Sequence, residues 1–365
     1  MSIHQMPHAF YGMKAALHFV DRPVRRTACW FAFAATLLCC ACFAADTNSS
    51  LERYEFERPE MGMSFRIVMY ALAQTNAQAA SEAAFERIKQ LNDIMSDYDE
   101  ESELSKLSRL SGTGRAIPVS PDLWFVLSRA QDLAERSGGA FDVTVGPLVN
   151  LWRRARRQHK LPDPDRLMQA RQAVGYQHVR LDPKAHTVEL LVPSMKLDLG
   201  GIAKGYAIGE ALKTLRAQRI ERALVEGGGD VAVSNPPPGK KGWRFELSSL
   251  DVTNAPAVRF LSLKNVAIST SGDLYQRMEI DGKRYSHIVD PHTGIGLTDH
   301  SLVNVIAPES ITADSLTKVV SVLGPQKGLR FIEQTPEVAA RIMRDPDGKI
   351  ETFESSRFSQ YYERN

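Results

Sequence analysis

Asp281-Gly282 constrains this chain more than any other pair of residues. A two-residue Asp-Gly loop between strand-like runs favours a turn with positive φ at both central positions, which matches the twist of the flanking strands. Residues 275–280 and 283–289 are those runs, so an antiparallel hairpin is predicted whose far ends meet. One end carries Thr270, Ser271, Gly272 and Asp273; the other carries His287, Asp290 and Thr293. An imidazole, two carboxylates and several hydroxyls then share one neighbourhood. On spacing alone, this is equally a decorated hairpin whose Asp290-Pro291 ends a strand.

Around this hairpin, helical and strand periods are interspersed. Residues 54–58 and 64–71 read as strands about Met61-Gly62-Met63. Ala84, Ile88, Leu91 and Met95 recur at helical spacing, which predicts a helix over 76–97. Ser120 and Pro121 cap and start another, and Gly138-Gly139 ends it. Residues 161–164 read as a loop, 188–192 and 195–199 as strands, and 203–217 as a helix. Residues 224–226 run into Gly227-Gly228-Gly229-Asp230 and a further strand at 231–233, and 235–239 is a turn. Thr312 caps a helix ending near Gly324, and 338–344 with 349–353 form a last hairpin. The order is not a strict βαβ alternation. The expected fold class is α+β, with mixed or antiparallel sheets and packed helices.

The 365 residues suffice for one large domain or two intimately packed ones. A net charge of +2 gives no argument for nucleic acid as a partner. The basic run Arg153, Arg154, Arg156, Arg157, His159 and Lys160 reads first as a solvated helix end or loop, second as a dock for an acidic partner. All four cysteines lie at Cys29, Cys39, Cys40 and Cys42. Arg22, Arg25 and Arg26 precede an apolar stretch at 28–45, which has the form of a secretory signal peptide cut after Ala44. The expected division is a leader over 1–45 and one catalytic domain over 46–365, located in the periplasm. A retained anchor or a lipid on Cys42 would instead attach it to the inner membrane. Met13 is an alternative start. The cleaved protein would hold no cysteine, and so no disulfide or thiol chemistry.

Four further motifs could carry chemistry. Asp198-Leu199-Gly200-Gly201-Ile202-Ala203-Lys204-Gly205-Tyr206 joins a strand to a helix, where backbone N–H groups attract phosphate and Lys204 adds a cation. Its Gly-Gly-x-x-x-Gly spacing matches neither the dinucleotide fingerprint nor the P-loop, and a tight structural turn is the plainer reading. Gly227-Gly228-Gly229 precedes a strand, which suggests a β-bulge or close approach to a flat ligand. In 139–148, Phe141 belongs to the core, while Asp142 and Thr144 alternate to the other face, where they could meet a cleft. Asp314, Thr317 and Lys318 share one helix face. They form either a surface ion pair or part of an oxygen site for Mg²⁺. His/Cys spacing for zinc is absent.

The hairpin wording, TSGDLYQR…DGKRYSHIVDPHTG, resembles the signature of the ApbE-type FAD:protein FMN transferases. Met61-Gly62, Met95-Ser96-Asp97-Tyr98 with 101–105, Gly139 to Trp152, Asp198 to Tyr206, Glu226 to Asp230 and Ala313-Asp314 follow that family's order. The resemblance implies an FAD-binding cleft between two subregions. It implies FAD contacts from Met61, Tyr98, Ala140, Phe141, Asp142, Asp198, Lys204 and Val289. It implies transfer chemistry at His287, and Mg²⁺ held by the Gly201 carbonyl, Asp314, Thr317 and Lys318. The chain departs from the family at Met63, where threonine is usual, and at Lys318, where an oxygen donor is usual. A protonated lysine cannot ligate Mg²⁺.

The implied reaction moves FMN from FAD to a threonine or serine hydroxyl of an acceptor protein and releases AMP. The acceptor is expected to be a membrane redox subunit or secreted flavoprotein with an Asp-x-(Ser/Thr)-(Gly/Ser)-Ala-(Ser/Thr) target. His287 is the first choice for general base, and Asp290 is an alternative base or an orienter of His287. Two other outcomes fit the same residues: an FAD-binding protein without transfer, and a Mg²⁺-dependent FAD pyrophosphatase.

Overall fold

The structure is a computed structural model that describes residues 17–19, 50–247, 249–250, 259–272, 277–346 and 348–364. The expected leader apart from 17–19, all four cysteines, Asp273 and Tyr275 lie outside the described residues.

Alternating apolar residues build the central sheet. Its eight strands run, edge to edge, Glu351–Glu354, Ala339–Arg344, Ser301–Ala307, Val266–Gly272, Asp230–Val233, Ala223–Gly227, Met63–Ala71 and Glu52–Glu60. Every neighbouring pair is antiparallel. Ile67, Met69, Ala223, Val225, Ala267 and Val305 face one core. Val68, Leu224, Ile268 and Ile306 face a second core on the opposite side, with Trp243 and Phe245. Each Val, Leu, Ile, Phe or Met among them contributes about 1.5–3 kcal/mol when fully buried. A one-residue register slip would swap the two faces, so the pairing is strongly specified.

The first core is closed by helices. Seven occur among the described residues: α1 (Gln74–Met95), α2 (Glu103–Arg109), α3 (Pro121–Arg136), α4 (Gly146–Gln158), α5 (Pro164–Arg171), α6 (Ala203–Ala217) and α7 (Ser310–Glu333). α1 buries Ala77, Ala80, Ala84, Ile88, Leu91 and Met95 on one stripe. α3 begins as expected, with Ser120 accepting from the Leu123 N–H and Pro121 in the first turn. On the second face lies a small sheet, Leu17–Phe19, Trp243–Leu247 and Phe260–Leu263. Leu17–Phe19 belongs to the stretch expected to be a leader. A third sheet pairs Ile117–Pro118, Thr187–Leu190 and Val179–Asp182, and the predicted hairpin forms as Arg277–Ile280 with Lys283–Ser286.

The α+β expectation therefore holds, with differences in detail. Residues 195–199 are not a strand: only Lys196 bridges, to Val145. Their alternation reflects burial of Met195, Leu197 and Leu199 without a pairing partner. Gly227 pairs with Asp230, so Gly228-Gly229 is a two-residue hairpin turn with φ of 60° and 92° rather than a bulge. α7 starts at Ser310, before Thr312, and its first helix ends at Gly324 as expected: that residue is non-helical (φ 70°, ψ 179°), and Pro325 opens a second helical stretch that runs to Glu333. Pro164 opens α5, with Asp163 capping it. The basic run lies on α4 and its end.

Candidate active site

The register brings three turns to one end of the sheet. Glu60 pairs with Met63 around Met61-Gly62, Phe65 pairs with Gly227 beside Gly228-Gly229, and Thr270 donates to the Gly229 carbonyl at 3.1 Å. Beyond Thr270 the chain runs on toward the Asp281-Gly282 hairpin. Met61 occupies this rim in the left-handed region (φ 48°), at a cost of about 1–2 kcal/mol for a residue with a Cβ. Its side chain packs on the first core.

The glycine turn before α6 is organised by Asp198. One carboxylate oxygen accepts the Gly200 N–H at 2.8 Å; the other accepts Arg153 Nη2 at 3.0 Å. Lys204 Nζ donates to the Gly200 carbonyl at 2.5 Å. Burial works against the Lys204 ammonium, but the carboxylates of Asp314, Asp230 and Asp198 outweigh it and raise the lysine above its ordinary value. The helix has no side-chain cap at its start; the Ile202 and Ala203 N–H groups instead bond the Leu199 carbonyl at 3.0 and 2.8 Å. The Gly205 N–H is taken by Asp314 Oδ2 at 2.9 Å.

Arg153, which no local sequence pattern singles out, joins the candidate site. Its guanidinium bonds both Asp97 and Asp198, and it lies 4.3 Å from the centroid of the Tyr98 ring. Burial raises Asp97, with the Asp198 charge adding to it and Arg153 opposing both. The Tyr98 ring is 72 % exposed. An aromatic plate backed by a cation and open to solvent can receive a flat ring system. Arg153 looked like one member of a solvated run. Its partners are 45 and 56 residues away in sequence, so no local pattern marks it.

Asp142 and Thr144 are buried rather than aimed into a cleft. Asp142 accepts the Thr144 N–H (2.8 Å) and hydroxyl (2.6 Å) and the Tyr176 N–H (2.8 Å); Thr144 accepts the Gly175 N–H at 2.7 Å. Burial pushes the Asp142 carboxyl up, and these bonds hold it partway down. The pair clamps the loop that delivers Ala140 and Phe141. A Cβ built on Gly201 would lie 3.4 Å from the Phe141 ring, so that loop abuts the glycine turn.

The hairpin exit loop packs on the other side of α4. Val289 is buried with Leu148, Trp152 and Tyr285, and Trp152 Nε1 donates to the Gly294 carbonyl at 2.8 Å. His287 is half-buried, one residue beyond the strand Lys283–Ser286. Asp290 engages His292 Nδ1 (3.1 Å), the His292 N–H (2.9 Å) and the Thr293 hydroxyl (3.0 Å). His292 Nε2 lies 2.9 Å from the Gly138 carbonyl. That carbonyl raises the His292 pKa; burial opposes the shift and Asp290 adds to it. The geometry therefore gives Asp290 a loop-holding role centred on His292. α4 joins the hairpin on one face to Tyr98 and Asp198 on another.

The four residues expected to hold Mg²⁺ do meet, but as an ion pair. Asp314 is fully buried; Oδ1 accepts Lys318 Nζ at 2.5 Å and Oδ2 is taken by Gly205. Lys318 also donates to Thr317 Oγ1 at 3.0 Å, and that hydroxyl donates to the Asp314 carbonyl at 2.7 Å. The Lys318 stem lies 3.3 Å from where a Gly201 Cβ would be. Burial alone would raise Asp314, but Lys204, Lys318 and the Gly205 N–H hold it below the usual carboxylate range. No cluster of three or more His, Cys, Asp or Glu side chains suited to a metal occurs among the described residues. This donor set does not fit a hard divalent cation, which needs several free oxygens.

Beside it lies a second buried carboxylate. Ser269 donates to Asp230 Oδ1, and Asp230 Oδ2 is buried without a hydrogen-bond partner. Burial, with the Asp314 charge, pushes the Asp230 carboxyl up to about 7, against the pull of Lys318, Lys204 and Ser269.

A family model described as the ApbE family matches residues 61–342. The chain belongs to the ApbE family. It is 33% identical over 295 residues to the FAD:protein FMN transferase of Haemophilus influenzae, covering 78% of this chain and 85% of that protein. It is 30% identical over 342 residues to that of Treponema pallidum, covering 89% and 94%. Among solved structures, the flavin transferase ApbE from Vibrio cholerae superposes with a TM-score of 0.77 at 28% identity, covering 85% of this ApbE-family chain and 99% of its own. The ApbE protein from Thermotoga maritima gives 0.76 at 30% identity, covering 86% and 100%.

Proposed function

We propose that this chain is an FAD:protein FMN transferase, which joins FMN through a phosphoester to a threonine or serine hydroxyl of an acceptor protein and releases AMP. The observation that carries this reading is the juxtaposition of the Lys204 ammonium, at the glycine turn, with the Arg153-backed Tyr98 ring. A cationic turn beside an aromatic plate suits a molecule made of a diphosphate and flat rings. The relatives named FAD:protein FMN transferase support the same reading.

The acceptor oxygen attacks the FMN phosphorus, and the phosphorus–oxygen bond to AMP breaks. The hydroxyl proton leaves to a base, and AMP departs with the bonding electron pair as a phosphate monoester. His287 is the base in this scheme, because an imidazole with an ordinary pKa of about 6.5 can take that proton near neutrality. Lys204, at the glycine turn, stabilises charge on the diphosphate, and orientation of the two oxygens supplies much of the rest. No step is routed through a metal.

Incubation of the full chain with FAD and a soluble acceptor tagged with Asp-Gly-Ser-Gly-Ala-Thr tests the proposal. Covalent flavin on the acceptor, with one AMP for each, is expected. Free FMN and AMP with an unmodified acceptor would mean hydrolysis, and unchanged FAD would mean binding alone.

The basic flank and apolar run at 22–45 support export to the periplasm, with acceptors among membrane redox subunits or secreted flavoproteins. Intact-mass measurement of the exported protein should find residues 1–44 missing. Added mass on Cys42 would indicate a lipid anchor at the inner membrane, and a full-length cytosolic product would exclude export. No helix among the described residues is long and apolar enough to cross a membrane.

A further inference from the structure

Lys318 stands where an external cation would have to bind. Both Asp314 oxygens are already engaged: Lys318 holds one and the Gly205 N–H the other, at 2.5 and 2.9 Å. Thr317 Oγ1 is engaged on both sides. A lysine ammonium has three donors, and two are used here, by Asp314 and Thr317. The Lys318 side chain is 17 % exposed, so part of it borders the site. Its stem runs along Gly201 while Lys204 caps the Gly200 carbonyl. Two ammonium groups therefore flank the same glycine turn.

We propose that Lys318 is a catalytic cation that contacts the FAD diphosphate directly, and that this chain transfers FMN without a divalent metal at Asp314. The inference rests on FAD being the substrate. A dication entering at Asp314 would have to break a buried ion pair and leave the ammonium beside it, a like-charge contact in a poorly solvated place. The two phosphates of FAD carry two negative charges; Lys204 faces them as an ammonium, and Lys318, whose charge Asp314 already balances, offers its third N–H as a fixed donor. As the bond to AMP breaks, charge builds on the leaving phosphate, where a fixed ammonium stabilises it without the reorganisation that water would need.

Two measurements on the full chain decide it. The first needs no turnover: Mn²⁺ titration followed by electron paramagnetic resonance. Wild type should show no saturable site up to millimolar Mn²⁺, and Lys318→Thr should gain one. A stoichiometric site in wild type that vanishes in Asp314→Asn would overturn the proposal. The second is flavin transfer to the tagged acceptor in EDTA. Wild type should retain its rate, Lys318→Arg should keep much of it, and Lys318→Met should lose roughly 100-fold, the scale of losing one preorganised donor. Loss of wild-type transfer in EDTA, restored by Mg²⁺, would overturn it. Absence of transfer under every condition would refute the transferase reading and with it the role of Lys318 in transfer, while the Mn²⁺ titration still judges the metal claim. If Lys318→Met fails to fold, as reported by circular dichroism, wild type with and without EDTA decides.

Discussion

Arg153 Nη2 donates to Asp198 Oδ2 at 3.0 Å while the same guanidinium bonds Asp97, and this one side chain ties α4 to both the Tyr98 segment and the glycine turn. The three groups are mostly buried, at 20, 8 and 18 % side-chain exposure. Removing the cation strands two carboxylates together, and breaking a pair of this kind typically costs about 3–5 kcal/mol. Arg153→Ala should therefore lower stability to urea by an amount of that order and weaken FAD binding with it. Arg153→Lys should recover only part, since one ammonium lacks the fork that reaches both acids. Urea melts and FAD titration would check this; an Arg153→Ala protein with wild-type values in both would dissociate α4 from the site.

Tyr98 separates binding from stability. Its ring is exposed, so truncation removes little core. Tyr98→Ala should weaken FAD binding by about 1 kcal/mol, the scale of an aromatic or cation–π contact, and Tyr98→Phe should stay near wild type. Flavin fluorescence titration reads both. Equal loss in the two variants would mean that the hydroxyl, not the ring, makes the contact.

His287 should behave in the opposite way. His287→Ala should leave FAD affinity within a factor of about two but lower transfer roughly 10²–10⁴-fold, the usual range for a general base. In-gel flavin detection on the acceptor measures the rate, and titration measures the affinity. Transfer at the wild-type rate would remove His287 from the chemistry.

Much of this architecture could be read from local pattern, and the exceptions share a cause. The strand-like runs at 224–226 and 231–233 and the Asp281-Gly282 turn were legible because β-branched composition and turn chemistry are local. Ala203–Ala217 was legible for the same reason, its helical period starting directly after the glycines. Asp198, Lys204 and Asp314 could be named because each sits in a recognisable motif. Their arrangement could not. That Asp314 is closed by Lys318 and Gly205 follows from α6 packing on α7 so tightly that a Gly205 Cβ would lie 2.4 Å from the Ser310 carbonyl oxygen. Arg153 was hidden among arginines because only distant acids distinguish it. Residues 195–199 have a strand's alternation, but they meet the neighbouring chain only at the Val145–Lys196 bridge and the Asp198 N–H to Val143 carbonyl bond, too little for a strand.

Asp230 gives a signed pH prediction. Its carboxyl rises from an ordinary 3.8 to about 7 in the folded protein, through burial first and the Asp314 charge second. The folded state then holds a proton that the unfolded chain has released, so over this window the native protein binds more protons. The contribution of Asp230 to stability falls as pH rises from about 4 to about 7, opposite to that of the usual salt-bridged carboxylate. Above that window, the buried Oδ2, which has no hydrogen-bond partner, carries charge at full desolvation cost. Asp230→Asn keeps the shape and removes the titration, and its amide can still accept from Ser269. The variant should therefore lose this downward slope and gain on wild type as pH increases. Thermal melts of both proteins at several pH values between about 4 and 8 test it. Parallel curves across the window would mean that Asp230 is already ionised in the folded protein, with Lys204 and Lys318 carrying its charge.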